Sequence, residues 1–438
     1  MFILTSRIFY YPLVICYLFL LLFLTGCGHA KTRGPVEIVY WTGWSGHEYQ
    51  VQTRLVDQFN RKNPNIHVRL LSQFGNSGYQ KVRIAFAGGA TPDVMSTVWA
   101  DELASYAMRD VLTPLDDYMK SCGRDVNRDY TPGVAKMLQL NGHVWGLTVT
   151  TNTNFIAYNR TIFRESSLSP SKPPATIQEL DTAAKACTKY TPSGGFERYG
   201  FRPGGLNLWA YVFGGQWYDD RTRKITANDP HNVAALNWLA SYSVNYDVKK
   251  MEAFQSTFGS SETANGPFFV GKMALWSTGE WSEEFIRRYA PGLDWRWFAL
   301  PAPPGGRKNC TLAGGSVFVI PAACKHKPEA WKFLNWISSP GAVKDFCLAI
   351  HNVPPLISVG NDPEFQKDPL FRFAVKIANG KNSFGPPPTP IWPTYAREIS
   401  RTEESVTLGN ADPRSALDNL QKRMEREQSR TMADLSVH

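Results

Sequence analysis

In the first quarter of the chain, short apolar runs alternate with amphipathic segments. Residues 36–41 and 66–71 have the pattern of β-strands, and residues 51–59 between them place apolar side chains at helical spacing. A second helical pattern covers residues 79–87, and Pro92 begins a third strand-like run. This order is typical of a parallel sheet with crossover helices, whose ligands bind beyond the carboxyl ends of the strands. We therefore predict a ligand site in the loops that follow the first and third strands.

The alternation continues along the rest of the chain and predicts an α/β fold. Residues 176–179 form a capping box that begins a helix reaching about Lys189, and Asp229 caps another helix. Further strands are predicted at 144–149, 155–159, 273–276, 296–299 and 316–320, and further helices at 328–337 and 341–350. This spacing indicates a second α/β unit after the first.

The N-terminal segment indicates export. Residues 8–24 contain no charged side chain, and the tetrapeptide LTGC that ends at Cys27 resembles the lipobox of bacterial lipoproteins. We predict a signal peptide over residues 1–26, a diacylglyceryl group on Cys27 and a tether over residues 27–35. The alternative is an uncleaved membrane anchor. Both interpretations place the rest of the chain outside the cytoplasm, attached to a bacterial membrane as part of the periplasm or the cell surface.

Charge argues against a nucleic-acid partner. The 438 residues include 47 Lys and Arg against 38 Asp and Glu, and the excess of nine positive charges is spread over stretches of mixed sign. A nucleic-acid-binding protein usually concentrates its positive charge on one surface. Aromatic residues, in contrast, reach 13 % of the chain, and they supply the candidate chemistry below.

The cysteines give no sign of a metal site. Neither a CxxC pair nor a histidine at zinc-ligand spacing accompanies those that remain after Cys27, which are Cys122, Cys187, Cys310, Cys324 and Cys347. An odd number allows at most two disulfides. Buried thiols are the favoured interpretation, and we expect no metal and no cofactor.

An ordered set of short motifs resembles one family. The chain is similar to the family 1 extracellular solute-binding proteins, the maltose-binding-protein-like receptors of bacterial ATP-binding-cassette importers. The resemblance runs from about Val36 to Glu427 and rests on residues 40–44, 55–60, 79–81, 87–94, 112–116, 141–147, 158–160, 269–274, 314–316 and 330–334. Each motif is weak alone, but their order and spacing are specific.

The resemblance implies a two-lobed clamp of the type II periplasmic-binding-protein kind, in which each lobe is a mainly parallel sheet flanked by helices. The chain would cross the hinge three times, near 149–155, 307–314 and 351–355. The first lobe would then hold residues 36–149 and 313–352, and the second lobe residues 154–308 and 355–438. Such a monomer closes over its cargo and delivers it to membrane permease subunits.

A sugar site needs aromatic plates for the C–H faces of the rings and polar side chains for the hydroxyl groups. In the family, Asp101 matches an acidic hydroxyl-binding residue and Trp281 matches the aromatic floor of the site. The substrate-binding candidates are Trp44, Ser45, Glu48, Asp101, Asn152, Asn207, Trp209, Glu280, Trp281, Gly315, Trp392 and Tyr395. Structural roles stay open for several: Trp44 and Trp209 in core packing, Glu280 as a helix cap, and Asn152 in a solvated hinge.

Three alternatives compete with a sugar receptor. A polysaccharide-active enzyme would need a pair of carboxylates, but acidic residues are too common to indicate one, and the chain lacks Gly-x-Ser-x-Gly, His-Glu-x-x-His and a phosphate loop. An adhesin would not need a closing hinge. A clamp for glycerol phosphate or a polyamine would call for clustered basic or acidic residues. The aromatic and neutral-polar candidates favour a non-enzymatic receptor for a sugar.

Overall fold

A computed structural model describes residues 34–436, except Phe74, Gly259 and Ser260. The predicted signal peptide (1–26), the lipid-bearing Cys27 and the tether as far as residue 33 lie outside the described residues. Within the described part of the chain, no helix combines the length and the apolar character that crossing a membrane requires.

The chain forms sixteen strands and nineteen helices in its described part. The strands are β1 Val36–Thr42, β2 Ile66–Ser72, β3 Val94–Trp99, β4 Gln139–Leu140, β5 His143–Val144, β6 Leu147–Thr148, β7 Asn154–Asn159, β8 Lys189–Tyr190, β9 Phe196–Phe201, β10 Tyr218–Asp219, β11 Lys224–Ile225, β12 Met273–Gly279, β13 Trp295–Phe298, β14 Thr311–Leu312, β15 Ser316–Val319 and β16 Ser383–Phe384. The helices are α1 Gly46–Lys62, α2 Asn76–Gly88, α3 Ala100–Ala107, α4 Asp116–Ser121, α5 Val126–Asp129, α6 Pro132–Met137, α7 Arg160–Glu165, α8 Ile177–Cys187, α9 Leu206–Phe213, α10 Pro230–Tyr246, α11 Val248–Gln255, α12 Ser282–Tyr289, α13 Lys327–Ile337, α14 Pro340–Ile350, α15 Ile357–Gly360, α16 Pro363–Lys367, α17 Pro369–Ala378, α18 Trp392–Thr407 and α19 Pro413–Ser436.

Local sequence signals explain several of these elements. In β1 the buried residues alternate, because Ile38, Tyr40 and Thr42 face the core and their neighbours do not. The predicted capping box is confirmed: the Thr176 side chain accepts a hydrogen bond from the Glu179 amide N–H at 3.2 Å. The helix that it begins ends at Cys187, two residues before the predicted end.

The first lobe is built on a five-stranded sheet of order β2-β1-β3-β15-β6. Strand β1 runs parallel to β2 and β3, whereas β15 runs antiparallel to both of its neighbours. One continuous core packs this sheet against its helices, with Tyr40, Phe59 and Phe333 in direct ring contact.

The second lobe has a sheet of order β13-β7-β12-β9-β8, in which only β12 and β9 are parallel. Both sheets are therefore mixed, but most strands of each sheet run in the same direction, as expected for mainly parallel sheets. The physical reason for the antiparallel direction of β7 and β15 lies at the hinge. Strands β7 and β15 enter their sheets directly from the other lobe, at the edge where β12 and β3 end, so they run in the opposite direction.

Three segments cross between the lobes at neighbouring positions. The first crossing joins β6 to β7, the second joins β14 to β15, and the third follows α14. The Thr151 amide N–H donates to the Val353 carbonyl oxygen at 3.0 Å, which pairs the first crossing with the third. The Asn154 side chain accepts from the Leu312 amide N–H at 2.9 Å, which pairs the first crossing with the second.

The segment after the third crossing packs differently from the predicted division of the lobes. Leu356, Val359 and Phe365 belong to the core of the first lobe, although residues 355–438 were assigned to the second. Their apolar side chains cover the first lobe beside Tyr130, which forms a β-bridge with Leu356. The chain returns to the second lobe along α17, whose Leu370 joins that lobe's core.

The five cysteines of the described chain are free thiols. Cys187, Cys310, Cys324 and Cys347 are buried, as predicted for structural thiols, and Cys122 is exposed. Burial raises the pKa of the Cys187 and Cys347 thiols, so both are neutral at physiological pH.

One glycine tests the packing of the second lobe. A Cβ atom on Gly200 in β9 would lie 1.8 Å from the Ala184 carbonyl oxygen of α8. Gly200→Ala should therefore lower the free energy of unfolding by about 2 kcal/mol, because the helix must move away from the sheet. Gly292→Ala is the control, since its added Cβ would meet nothing within 4 Å. Urea unfolding checks the pair, and equal stability of the two variants would contradict the packing described.

Candidate functional site

The carboxyl end of β3 and the start of β15 meet at the edge of the first sheet that faces the second lobe. Trp99 pairs with Ser316 there, and the Ala100 amide N–H donates to the Gly315 carbonyl oxygen at 3.0 Å. Gly315 has a φ of +121°, which a side chain would strain. This turn holds Asp101, in the first turn of α3, beside the second hinge crossing.

Asp101 lies close to the second lobe, where Trp392 at the start of α18 is its neighbour. Desolvation by the surrounding protein raises the pKa of Asp101, and the neighbouring Trp392 side chain partly offsets that rise. The lone pairs of a carboxylate can accept hydrogen bonds from a ligand.

Trp281 forms a half-buried plate at the end of β12. A Cβ atom on Gly279 would lie 2.0 Å from the Trp281 ring and 2.4 Å from the Thr153 carbonyl oxygen, so the ring lies against the backbone of this glycine. The indole N–H donates to Glu262 at 3.0 Å, which fixes the orientation of the ring. The residue as a whole is half-buried, so part of the indole remains exposed, as a stacking surface requires.

Asn152 lies between the turn that holds Asp101 and the strand end that holds Trp281. It belongs to the first hinge crossing, it is half-buried, and its side-chain nitrogen would lie 3.5 Å from a Cβ atom on Gly314. The next residue, Thr153, contacts the strand end under Trp281. The structure thus places Asp101, Asn152, Gly315 and Trp281 around the hinge, and their contact with a ligand stays a prediction.

The loop after β1 lies over the end of β3. A Cβ atom on Gly43 would lie 3.7 Å from the Ser96 carbonyl oxygen and from the Thr97 Cα atom. The half-buried Trp44 ring packs edge-on against Phe346, with the ring centroids 5.6 Å apart. Trp44 is therefore partly a packing residue, although its buried indole N–H has no hydrogen-bond partner in the described chain.

Two polar side chains of the same loop remain available. Ser45 precedes α1 without making a side-chain capping bond, and the half-buried Glu48 lies in the first turn of this helix. A hydroxyl and a carboxylate at this position can bind hydroxyl groups.

Three aromatic candidates lie in the core of the second lobe. Trp209 is fully buried, with its ring centroid 4.5 Å from that of Trp238. Tyr395 is fully buried, and its hydroxyl donates to the Trp217 carbonyl oxygen at 3.1 Å. Trp392 is 2 % exposed, and its side chain is a neighbour of Asp101. The structure therefore does not place Trp209 or Tyr395 against a cleft ligand.

Asn207 begins the same helix as Trp209 but is half-buried. Its backbone carbonyl accepts the indole N–H of Trp217 at 3.0 Å, whereas its side-chain oxygen has no partner in the described chain. Asn207 remains a candidate for the edge of the site.

Glu280 lies inside the hinge instead of the cleft. It is 1 % exposed, and one carboxylate oxygen accepts from the Thr153 amide N–H at 2.8 Å and from its hydroxyl at 3.0 Å. Burial raises the pKa of Glu280 to about 7, opposed by its hydrogen bonds to the backbone. This side chain ties β12 to the first crossing, so contact with a sugar, as predicted, does not fit its position.

Polar contacts between the lobes were missed by the sequence analysis. Lys136 of α6 pairs with Asp220 in the turn after β10, and the Arg223 guanidinium donates to the Asn141 side chain at 3.4 Å. These residues have ordinary surface patterns, and no sequence signal joins positions so distant in the chain. No group of His, Cys, Asp and Glu side chains in the described ranges is arranged to hold a metal ion.

The fold and motifs have known counterparts. The family described as bacterial extracellular solute-binding proteins matches residues 44–344. The maltotriose-binding protein of Pyrococcus abyssi is 24 % identical over 348 residues, which cover 77 % of this chain and 70 % of the relative. An uncharacterised lipoprotein of Streptomyces antibioticus is 23 % identical over 355 residues, covering 78 % and 76 %.

A solved structure extends the similarity to nearly the whole described chain. The protein CpMnBP1 with mannotriose bound superimposes with a TM-score of 0.78 and 26 % identity. The match covers 88 % of this chain and 99 % of that protein. The two proteins therefore share the two-lobed arrangement over the matched 88 % of this chain.

Proposed function

Because this chain belongs to the bacterial extracellular solute-binding proteins, we propose that it is the substrate-binding receptor of an ATP-binding-cassette importer whose cargo is a mono- or oligosaccharide. The observation that carries the proposal is the arrangement of three side chains around the hinge. The half-buried Trp281 ring lies next to the first crossing, which contains Asn152, and Asp101 lies beside the second crossing. An aromatic plate with polar side chains from both lobes binds the faces and the hydroxyl groups of a sugar. Contacts to both lobes also favour the closed form.

Similar proteins support a saccharide cargo. One relative is a maltotriose-binding protein, and a solved structure with the same fold holds mannotriose. Members of the family are binding proteins, so we assign no catalytic role to the carboxylates around the hinge. The partners are then the sugar and the permease subunits that receive it from the closed form.

The family is extracellular, which places this protein outside the cytoplasm. We propose further that Cys27 carries a lipid that anchors the protein to a bacterial membrane and that the protein works as a monomer. The tetrapeptide LTGC at the end of an uncharged segment supports the anchor, and a similar protein is a lipoprotein. Loss of membrane association in a Cys27→Ala variant would be the expected result of cell fractionation.

The cargo is tested by thermal unfolding of the full chain in detergent, with mono- and oligosaccharides, glycerol phosphate and spermidine. A sugar at 100 times its dissociation constant should add about 2.7 kcal/mol, which raises the melting temperature by about 3 °C. A shift only with glycerol phosphate or spermidine would overturn the sugar assignment. No shift with any compound would favour an adhesin over a receptor.

Asp101→Asn should weaken binding of the sugar found in that screen by about 30-fold, because hydrogen bonds to a charged acceptor are lost. Asp57→Asn is the control, since Asp57 is an exposed carboxylate on α1. Isothermal titration calorimetry compares the two variants. Equal affinities would remove Asp101 from the site.

A further inference from the structure

A cavity of about 480 Å³ lies between the lobes, next to the contact of Asp101 with Trp392. The first lobe contributes side chains of α2, α3 and the turn after α3, and the second contributes the start of α18 and part of α19. The cavity includes Ser105, one helical turn after Asp101 and so about 6 Å along the helix axis. The far wall includes Ile391 and Pro393, the two neighbours of Trp392. A ligand bound at Asp101 can therefore extend into this space.

Three arginines line the cavity, and two of them form no ion pair with a carboxylate among the residues that the structure describes. Arg109 in the first lobe donates to the backbone and side chain of Ser105, and Arg397 in the second lobe donates to the Thr394 hydroxyl at 3.2 Å. Each guanidinium has five N–H donors, so most remain available. Arg83 differs, because it faces Glu102 at 3.7 Å.

The two carboxylates of the cavity do not neutralise these arginines. Glu102 is paired with Arg83, and Glu427 is paired with Arg430 at 2.8 Å. Arg109 and Arg397 form no ion pair with either carboxylate. Both arginines are exposed, and they come from opposite lobes. The cavity thus presents positive charge and apolar surface where a second ligand group would lie.

From this arrangement we infer that the cargo is a saccharide bearing an acidic group, which binds between Arg109 of the first lobe and Arg397 of the second. The inference rests on the proposed function and specifies its substrate class. Guanidinium groups bind carboxylate, sulfate and phosphate oxygens in the same way, through paired charge-assisted hydrogen bonds. An anion that contacts an arginine from each lobe also favours the closed form, since it binds the open form through one lobe only.

The test is calorimetry of the full chain in detergent with matched neutral and acidic disaccharides. Mannobiose is compared with dimannuronate, galactobiose with digalacturonate, and mannose with mannose 6-phosphate and mannose 6-sulfate. The acidic member of at least one pair should bind about tenfold more tightly than its neutral match. The uronate, phosphate and sulfate arms identify the source of the charge.

Variants of the two arginines test whether the tighter binding of the acidic sugar depends on this cavity. Arg109→Gln and Arg397→Gln should each remove about tenfold in affinity for the acidic sugar and leave the neutral match unchanged. Arg414→Gln is the control, because Arg414 is exposed at the start of α19 and does not line the cavity. Thermal unfolding of each variant without ligand checks that the fold is intact.

Three other outcomes would contradict the inference, and each can be distinguished from the others. Neutral sugars that bind as well as or better than their acidic matches would overturn it and leave the sugar receptor standing. Equal losses for acidic and neutral sugars in the arginine variants would mean that the cavity does not select charge. Failure of every sugar, neutral and acidic, would overturn both this inference and the proposed function.

Discussion

Trp281→Ala should weaken sugar binding by about 100-fold, or about 2.7 kcal/mol, while the protein stays folded. The ring is half-buried against Gly279 and oriented by Glu262, so a sugar that stacks on it would cost the ring little conformational freedom. Its removal takes away one face of the site but little of the lobe core. Titration calorimetry with the sugar found by thermal unfolding measures the loss.

The matched control is Trp297→Ala. Trp297 is also half-buried in the second lobe, but it lies on the edge strand β13 against Phe373. Its replacement should change stability more than affinity. If both tryptophan variants bound sugar equally well, Trp281 would be a packing residue and the site would have to lie elsewhere in the cleft.

The second large expected effect is a pH dependence of the free energy of unfolding, caused by Glu280. Burial raises the pKa of Glu280 in the folded protein to about 7, above its ordinary value of 4.5. The folded state therefore holds a proton that the unfolded chain releases between these pH values. This contribution to stability is fully present below about pH 4.5 and is lost as pH rises through 7. At about 1.4 kcal/mol for each pKa unit, the loss reaches up to about 3 kcal/mol.

Glu280→Gln isolates this contribution, because glutamine stays neutral and can still accept from the Thr153 amide N–H. Relative to the natural protein, the variant should gain up to about 3 kcal/mol in the free energy of unfolding between pH 4.5 and pH 8. Urea unfolding at several pH values measures it.

A second carboxyl group, that of Glu283, loses its proton in the same pH range, so its contribution must be measured separately. Burial and the nearby Asp368 raise the pKa of Glu283 to about 7 as well, so Glu283→Gln must be measured in parallel. Glu284→Gln serves as the control on the same helix, since Arg287 and Arg288 outweigh the desolvation of Glu284 and lower the pKa of that carboxyl. Stability curves of Glu280→Gln and the natural protein that remain parallel would contradict the assignment of the buried hinge carboxyl.

Much of the fold could be predicted because its signals are local. Strand β1 alternates buried and exposed residues, α1 repeats apolar side chains at helical spacing, and α8 begins at a capping box. The strand directions were less predictable. Whether β7 and β15 run parallel to their neighbours depends on where the chain enters each sheet from the other lobe, and no local pattern encodes this.

The candidate site residues also form two groups: those whose position local sequence patterns predict, and those whose role depends on tertiary packing. The placement of Asp101 and Trp281 beside strand ends could be predicted, because a residue that follows a strand lies at the sheet edge in any such fold, whereas their binding of a ligand stays a prediction. The roles of Trp209 and Glu280 could not be predicted. Trp209 is core because Trp238 covers it, and Glu280 is buried because the hinge crossings close around it.

The sequence by itself determined the order of the elements, the loops that border the cleft and the membership of an extracellular binding-protein family. Only the tertiary structure decided which aromatic rings are buried in the core, which carboxyl lies inside the hinge, and that Arg109 and Arg397 line one cavity. The physical reason is that periodicity and capping act over a few residues. Burial and charge pairing depend instead on segments that are distant along the chain and meet only when the two lobes pack together.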